Sequence, residues 1–420
     1  MKISIYKTSS LLLLLILFFS CKKDNENSTT KYLTYANDQH TTLYLDHCEK
    51  ENVLNMSSIF TKAKPIILEL KDSSLIGKIN KIEEYNNNLV ILDRNISKSI
   101  FIFDKSGQFL SKIGAIGSGP GEFTSISDYT IDHENNIIYV LDDNTQFISI
   151  FNLEDGEFVN RIDIKKDDIK SYNLQYVDGV LYADVFHQGN KRNRSNNSIL
   201  RTIDIKTGIT IDLFLNVEMH NKGFDDTYLT GRGVFFSRHR NPVFIQMFGD
   251  TIISLSNNQI TPHIVLNSKY LIVKENLEKS KQNAIRNSKN NKHISVNSYI
   301  YDLKKFHSFK NFIESDKFFL INCYFKNFVQ ILYHDKINNE TTIYNTLKDD
   351  VLFEVFDLRN NKTSIEFLHE TSDGVYAIIT NQSSFIEAMH KYKLRDDVMI
   401  NNLSELNDYS NPLIVFYEFK

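Results

Sequence analysis

The chain has 420 residues and a formal net charge of −4 at pH 7, with 30 Phe and 21 Tyr but no Trp. A nearly neutral chain of this size lacks the broad positive field that nucleic-acid binding requires, which excludes a nucleic-acid partner. Its hydrophobic content of 41% is enough for a large core. Because Phe, Tyr, Ile and Val favour pleated sheets, the composition predicts a sizeable body rich in β-strands.

Residues 1–20 have the pattern of a secretory signal peptide. Lys2 and Lys7 supply positive charge, and the apolar run Leu11–Phe19 is too short to span a bilayer comfortably. The run ends in Phe19-Ser20-Cys21, which resembles the lipobox of bacterial lipoproteins and implies cleavage before Cys21 and acylation of that residue. Several acyl chains on one residue would make a stable anchor. The alternative is a plain secretory signal with an incidental cysteine.

Residues 21–40 follow as a polar linker that begins with Lys22-Lys23-Asp24. The polar run at its start contains nothing suited to burial, so we interpret the segment as a tether between the lipid and the folded body. The Lys-Lys-Asp start resembles the export signals on lipoproteins of Bacteroidetes, which implies an outer-membrane lipoprotein facing either the periplasm or the cell exterior. The folded body, residues 41–420, is expected to be monomeric.

One four-stranded unit can be read directly from residues 114–163. Asn, Asp and Gly residues typical of hairpins separate four β-rich runs, which are Ile126–Asp132, Ile137–Asp142, Phe147–Asn152 and Glu157–Asp163. The pattern recurs upstream, where Leu92-Asp93 aligns with Leu141-Asp142 and Gly107 aligns with Gly156 at the same offset. A four-stranded repeat of this length predicts a β-propeller.

Six such units are predicted, with five or seven as alternatives. The first contains Gly77–Tyr85, Asn88–Asp93, Ser99–Asp104 and Phe109–Gly114, and the later units span 172–215, 228–267, 307–347 and 364–420. The last unit has only three strands, whereas the N-terminal strands Thr41–Leu45 and Ile66–Leu70 have no unit of their own. Pairing an N-terminal strand into the last blade would close the ring and remove an exposed edge. Short helical insertions are expected within Tyr270–His293, at Ser383–Leu394 and near Leu403–Asn407.

Two resemblances support this fold. The unit at 114–163 is similar to NHL-type repeats through Gly119, Gly121, Phe123, Ile131-Asp132, Ile138–Asp142, Ile150-Phe151 and Gly156. The whole chain resembles the six-bladed β-propeller lipoproteins of Bacteroidetes through Pro65–Leu70 with Leu75–Ile79, Gly119–Phe123, Phe248–Ile252 with Ile260–Pro262, and Ser410–Leu413. The chain departs from that family at Leu70-Lys71, where a threonine is usual, and in a basic insertion at 188–197. The resemblance implies fold and compartment rather than an activity.

A binding site is expected on the face that carries the connections between blades and the loops between second and third strands. The ligand-binding candidates on that face are Asp93, Arg94, Glu122, Asp142, Asp143, His187 and Asp250. Converging carboxylates could hold Ca²⁺ or act as acid and base on a glycan, and His187 could ligate zinc. The alternative is structural, because an Asp at the end of a strand commonly accepts hydrogen bonds from its own turn.

The favoured function is a lipid-anchored binding or scaffolding module of the cell envelope, with a glycan, a peptide or a partner protein as its ligand. The alternative is a metal-dependent hydrolase or lyase of propeller type, with Asp and His ligands on the axis. The sequence has no His-Glu-x-x-His, Cys-x-x-Cys or Gly-x-Ser-x-Gly motif, so we predict no catalytic residue and no cofactor beyond a candidate Ca²⁺. Cys48 and Cys323 are expected to be free thiols.

Overall fold

The computed structural model describes residues 30–31, 40–165, 169–185, 198–216, 233–236, 240, 242–246, 249–256, 259–288, 303–325, 328–354, 364–380, 382–395, 406–407 and 409–420. Six sheets are arranged radially in it as a six-bladed β-propeller, as predicted. The first strand of each blade lies at the axis, where innermost strands of neighbouring blades contact one another. The signal peptide, Cys21 and the basic insertion at 188–197 lie outside the described residues.

Blades 1 and 2 are each built from four consecutive strands. Blade 1 consists of Lys81–Tyr85, Asn88–Asp93, Ser99–Asp104 and Phe109–Ile113, and blade 2 consists of Asp128–Asp132, Ile137–Asp142, Phe147–Asn152 and Phe158–Asp163. A short ribbon of Ala115–Ile116 with Glu122–Phe123 lies in the connection between them. Asn136 and Gly156 have φ values of 56° and 75°, the left-handed conformation that closes their hairpins. Local turn chemistry therefore fixes the bounds of these strands.

Blades 3 to 5 each gain a fifth strand from the N-terminal segment. Blade 3 has Leu174–Val177, Val180–Asp184, Ser198–Ile203 and Thr210–Asn216; blade 4 has Gly233–Phe236, Val243–Gln246, Thr251–Ser256 and Gln259–Asn267; blade 5 has Phe306–Glu314, Phe318–Phe325, Phe328–Asp335 and Glu340–Lys348. Their outer strands pair in parallel with Thr30–Lys31, Thr41–Tyr44 and Glu49–Asn55, respectively. We call these three N-terminal strands the belt.

Blade 6 closes the ring with strands from both ends of the chain. Its inner strands are Ser364–Glu370, Gly374–Thr380 and Ile414–Phe419, and its outer strand is Phe60–Ile66, antiparallel to the C-terminal strand. Closure by an N-terminal strand is confirmed. However, the predicted strand Thr41–Leu45 lies on blade 4. Most of the predicted strand Ile66–Leu70 is an irregular connection, because it carries the chain from blade 6 to blade 1, where the Glu69 N–H donates to Gly107.

Two α-helices interrupt the sheets in the described part of the chain. The first, Lys274–Asn287, follows blade 4, and the second, Gln382–Lys391, lies within blade 6 and buries Phe385 and Ala388. Single 3₁₀ turns occur at Met56–Ser58 and Asp72–Ser74. Most of the predicted helix near Leu403–Asn407 lies outside the described residues. Within the described ranges no helix is long and apolar enough to cross a membrane.

The core is divided among the interfaces between blades. Alternate residues of a strand point to opposite faces of its sheet, so Ile138 and Val140 pack toward blade 1 whereas Tyr139 and Leu141 pack toward blade 3. Each fully buried aliphatic or aromatic side chain stabilises the fold by about 1.5–3 kcal/mol. Cys323 is buried in one such interface, and both it and Cys48 are free thiols, as predicted.

Candidate functional site

Asp93 and Asp142 end the second strands of blades 1 and 2. Their carboxylates accept hydrogen bonds from backbone N–H groups. The carboxylate of Asp93 accepts the N–H groups of Gly77 at 2.7 Å and Ile96 at 2.9 Å, together with those of Lys78, Asn95 and Ser97. The carboxylate of Asp142 accepts those of Thr124 at 2.7 Å and Thr145 at 2.9 Å, together with those of Ser125 and Asn144.

These two carboxylates are buried and join two loops each. Burial alone would raise the pKa of Asp93 and of Asp142, but the N–H donors outweigh it and lower both pKa values below their usual range. Each carboxylate fastens the loop that precedes its blade to the turn between the second and third strands. This geometry supports the structural alternative that the sequence left open for them.

Asp184 holds the loop that precedes blade 3 from the equivalent strand-end position, although the sequence analysis did not select it. Its carboxylate accepts the N–H groups of Tyr172 at 2.7 Å and Asn173 at 2.8 Å. Burial dominates here and raises the pKa of Asp184 to about 6, despite these donors. The signal was present in the sequence, because Asp184 occupies the strand-end position of Asp93 and Asp142.

The other candidates lie in the same set of loops but on different blades. Arg94 is exposed, and its guanidinium donates to the carbonyl of Ser127 at 3.1 Å. Glu122 accepts the N–H of Gly119 at 2.8 Å, so its carboxylate lies inside the glycine-rich loop. Asp143 has one buried carboxylate oxygen, and Asp250 accepts the Thr251 hydroxyl at 3.1 Å. His187 lies outside the described residues.

A cluster of charged residues at the propeller axis was missed by the sequence analysis. The Lys81 ammonium of blade 1 lies 3.1 Å from Glu83 Oε1 and 3.0 Å from Asp128 Oδ1 of blade 2. Burial alone would lower the pKa of Lys81, but the two carboxylates outweigh it and raise the pKa, whereas burial raises the pKa of Glu83. Asp128 also accepts the N–H of Leu174 in blade 3 at 2.9 Å. The cluster therefore joins three neighbouring blades.

A second cluster joins blades 4, 5 and 6. The carboxylate of Glu314 lies 2.8 Å from His263 Nε2 and 2.6 Å from Lys336 Nζ. The backbone N–H of Glu314 donates to Glu370 in blade 6 at 2.6 Å. Among the residues that the structure describes, no group of three or more His, Cys, Asp or Glu side chains has the arrangement of a metal site.

A cleft of about 970 Å³ opens between blade 6 and blade 1. Its walls are the closing strand with the connection that follows it (64–70), the hairpin 105–108 of blade 1, and the turn of blade 6 that contains Thr371 and Asp373. Tyr376 and Phe416 add aromatic surface, with ring centroids 4.7 Å apart. The volume lies near the upper end of the roughly 300–1,000 Å³ that small-ligand pockets occupy.

The charges around the cleft are paired with one another. Lys105 Nζ lies 2.6 Å from Glu84 Oε1, and the Tyr376 hydroxyl donates to Glu84 Oε2 at 3.1 Å. Burial and then the charge of Glu84 raise the pKa of Tyr376 well above its usual value, so the hydroxyl stays a donor. Asn407, Ser410 and Gln108 supply further hydrogen-bonding groups. The cleft thus places the aromatic rings of Tyr376 and Phe416 beside oriented polar groups.

The cleft lies only partly where the sequence analysis expected a site, because just one of its walls is a connection between blades, the one from blade 6 to blade 1. The hairpin 105–108 joins a third to a fourth strand and the turn 371–373 joins a first to a second, so both belong to the face opposite the predicted one. None of the six candidates that the structure describes lines it. Its walls come from chain segments far apart in sequence, so no local sequence motif predicts the cleft.

A closed ring of six radial sheets defines the protein as a six-bladed β-propeller. The chain belongs to the family described as domain of unknown function DUF4934, whose family model matches residues 40–418. No curated protein matches the chain.

Two solved structures show the same fold. A protein of Bacteroides fragilis described as exported is 20% identical, with a TM-score of 0.69 over 90% of this chain and 100% of that chain. A DUF4221 family member from Bacteroides vulgatus is 11% identical, with a TM-score of 0.50 over 86% of this chain and 97% of that chain.

Proposed function

We propose that this protein is a lipid-anchored binding module of the bacterial cell envelope, with the propeller as a rigid body and the cleft between blades 6 and 1 as its ligand site. The observation that carries the proposal is the cleft, in which Tyr376 and Phe416 lie beside the paired charges of Lys105 and Glu84. Aromatic surface next to oriented hydrogen-bonding groups suits a glycan or a peptide segment.

The location rests on the N-terminus and on one structural relative. Phe19-Ser20-Cys21 supports acylation of Cys21, and the B. fragilis relative is described as exported. The predicted tether, residues 21–40, is shorter than expected, because Thr30–Lys31 already pair with blade 3. With Cys21 acylated, the residues that precede Thr30 would link the body to the outer membrane, facing the periplasm or the exterior. A Cys21→Ser variant is expected to move from the membrane fraction to the soluble fraction. Retention of that variant in the membrane fraction would contradict the anchor.

Binding by the cleft can be tested with glycan and peptide arrays on the full-length protein in detergent. For a retained ligand, Lys105→Ala is expected to weaken binding about three- to tenfold, because it removes a charged hydrogen-bond donor from the wall. Gln108→Trp, a substitution at an exposed residue, should weaken binding further by narrowing the cleft.

The matched control is Lys112→Ala, because Lys112 is an exposed lysine of the same blade that lies outside the cleft. We expect it to leave affinity unchanged. Equal affinities for all three variants and the parent protein would rule out the cleft as the site.

A further inference from the structure

The charged side chains around the cleft between blades 6 and 1 are paired within the protein. The pairs are Lys105 with Glu84, Lys64 with Glu418 and Lys71 with Glu69. A further carboxylate of the lining, that of Asp373, accepts the hydroxyl of Ser372 at 2.6 Å. A charged ligand would have to compete with these partners, whereas an uncharged ligand leaves every pair intact. The cleft therefore favours an uncharged ligand.

Uncharged hydrogen-bonding groups line the cleft from two separate segments. Ser106 and Gln108 belong to the hairpin of blade 1, and Asn407 and Ser410 belong to a turn that precedes the C-terminal strand. Ser106, Gln108 and Asn407 are exposed. Hydroxyl and amide groups both donate and accept hydrogen bonds, so they match the hydroxyl groups of a sugar.

The strand edge that borders the cleft is unsuited to an extended peptide. Extended peptides commonly bind by adding a strand to the edge of a sheet. Here the edge strand is Phe60–Ile66, which contributes Lys64, Pro65 and Ile66 to the lining. Proline has no N–H to donate, and lysine at an edge disfavours strand pairing. The edge thus disfavours a peptide that binds as an added strand.

Tyr409 lies at the rim of the cleft, between the lining residues Asn407 and Ser410 in the chain, and its side chain is 88% exposed. The turn around it is held by its own hydrogen bonds. The N–H of Tyr409 donates to Asn407 Oδ1 at 2.9 Å, and the N–H of Ser410 donates to the carbonyl of Asn407 at 3.0 Å. Gln382 of the second helix donates to the carbonyl of Ser410 at 3.3 Å. A fixed turn therefore presents an aromatic ring to solvent.

We propose that the ligand of the cleft is an uncharged saccharide, and that Tyr409 stacks against one of its sugar rings at the rim. The inference rests on the proposed function, in which this cleft is the ligand site. One face of a sugar ring consists of C–H groups and is apolar. A tyrosine ring offers a flat apolar face to such a surface and loses little conformational entropy when it binds. Ser106, Gln108 and Asn407 then bind the hydroxyl groups.

The test uses the full-length protein in a detergent without a sugar head group. The immobilised probes are uncharged hexasaccharides of glucose, xylose, mannose or N-acetylglucosamine, hexasaccharides that contain uronic acids, and octapeptides. We expect retention on an uncharged hexasaccharide. Because that ligand carries no charge, its affinity should change less than about twofold between low salt and 0.5 M NaCl, roughly the range over which screening removes surface attraction.

Two variants of Tyr409 test the stacking. Tyr409→Ala removes the ring and is expected to weaken binding about three- to tenfold, the effect of one aromatic contact. Tyr409→Phe keeps the ring without its hydroxyl and should bind within about twofold of the parent protein. Tyr44→Ala is the matched control and should leave affinity unchanged, because Tyr44 is an exposed tyrosine of the belt outside the cleft.

Some results would overturn this inference and leave the proposed function standing. One is retention only on octapeptides or on uronic-acid saccharides, with weaker binding by Gln108→Trp. The cleft would then bind a ligand of another class. A second is an uncharged hexasaccharide that Gln108→Trp binds more weakly but Tyr409→Ala binds as the parent protein does, because Tyr409 would then lie outside the site.

Other results would overturn both proposals together. If none of the probes is retained, the cleft is not a site for a glycan or a peptide. If a probe is retained with the same affinity by Gln108→Trp and by the parent protein, it binds elsewhere on the protein.

Discussion

Blades 2 and 6 share a four-stranded plan but differ in where their strands lie in the sequence. Every strand of blade 2 lies between Asp128 and Asp163, and short turns join them. Blade 6 combines strands near the C-terminus with Phe60–Ile66. Blade 2 can therefore form from local contacts, whereas blade 6 requires the two ends of the chain to meet. Closure of the ring therefore depends on the pairing of Phe60–Ile66 with the C-terminal strand.

Aromatic packing supports that pairing. Phe60 is 1% exposed and lies 5.2 Å from Tyr417, 5.9 Å from Phe419 and 6.1 Å from Phe367 between ring centroids. The Tyr417 hydroxyl donates to the buried Asp349 at 2.6 Å. Ring closure is thus stabilised by a hydrophobic cluster that strands from both ends of the chain form.

The largest effect is expected for Phe60→Ala, which removes the central ring of this packing. We expect a loss of about 3–5 kcal/mol in the free energy of unfolding, measured by denaturant titration. Hydrogen exchange should accelerate in blade 6 while blade 2 stays protected, because blade 6 would open first. Thr61→Ala, at an exposed neighbour, is the control. Equal acceleration in both blades would refute the difference between them.

A smaller effect is expected for Asp142→Ala in blade 2. Four backbone N–H groups lose their acceptor, and we expect a loss of about 2–3 kcal/mol, measured in the same titration. Asp104→Ala, which affects an exposed hairpin, should cost less. If the two variants lost the same free energy of unfolding, the buried carboxylate of Asp142 would stabilise the protein no more than a carboxylate in an exposed turn.

The three strand-end carboxylates should differ in their response to pH. The pKa of Asp184 is about 6 in the folded state against 3.8 as its ordinary value, so between these values the folded protein binds more protons than the unfolded one. The contribution of Asp184 to stability therefore falls as pH rises from 4 to 6, by about 1–3 kcal/mol. The measurement is the stability difference between the parent protein and Asp184→Asn across this range.

Asp93 should behave in the opposite way. Its folded pKa is lowered, so its contribution is present above pH 4 and is lost as pH falls through that folded value. The same titrations on Asp93→Asn test this sign. If the stability of the two variants changed with pH in the same way, burial would not be the dominant cause of the raised pKa of Asp184.

The smallest effect concerns the thiols. Cys48 lies between two belt strands and donates to the carbonyl of Tyr44 at 3.0 Å, while Cys323 is buried in the core. Burial raises the pKa of both thiols. Alkylation of the native protein, followed by mass spectrometry, should modify Cys48 slowly and Cys323 only after unfolding. Faster modification of Cys323 would mean that the core opens before the belt.

The sequence predicted all eight strands of blades 1 and 2, because hairpin turns and alternation are local signals. Their first strands begin later than predicted, at Lys81 rather than Gly77 and at Asp128 rather than Ile126. The belt could not be predicted in this way. Glu49–Asn55 has one buried residue, Leu54, so it lacks an alternating pattern, and its partner strand is Glu340–Lys348. Parallel pairing at the rim depends on the finished ring.

The site was harder to predict than the fold. Residue type correctly selected Asp93 and Asp142 as carboxylates at strand ends. However, only the directions of the surrounding N–H groups show whether such a carboxylate stabilises a turn or binds a ligand. The cleft escaped prediction because Lys105 and Tyr376 meet only after ring closure.

If Cys21 is acylated as proposed, the position of the first belt strand decides which side of the body is attached to the lipid. Thr30–Lys31 lies on blade 3, which in a ring of six is diametrically opposite blade 6. A lipid attached nine residues upstream, at Cys21, would suspend the disc from its blade 3 rim. The cleft beside blade 6 would then lie on the side of the body farthest from the lipid, where ligands in the surrounding solution can reach it.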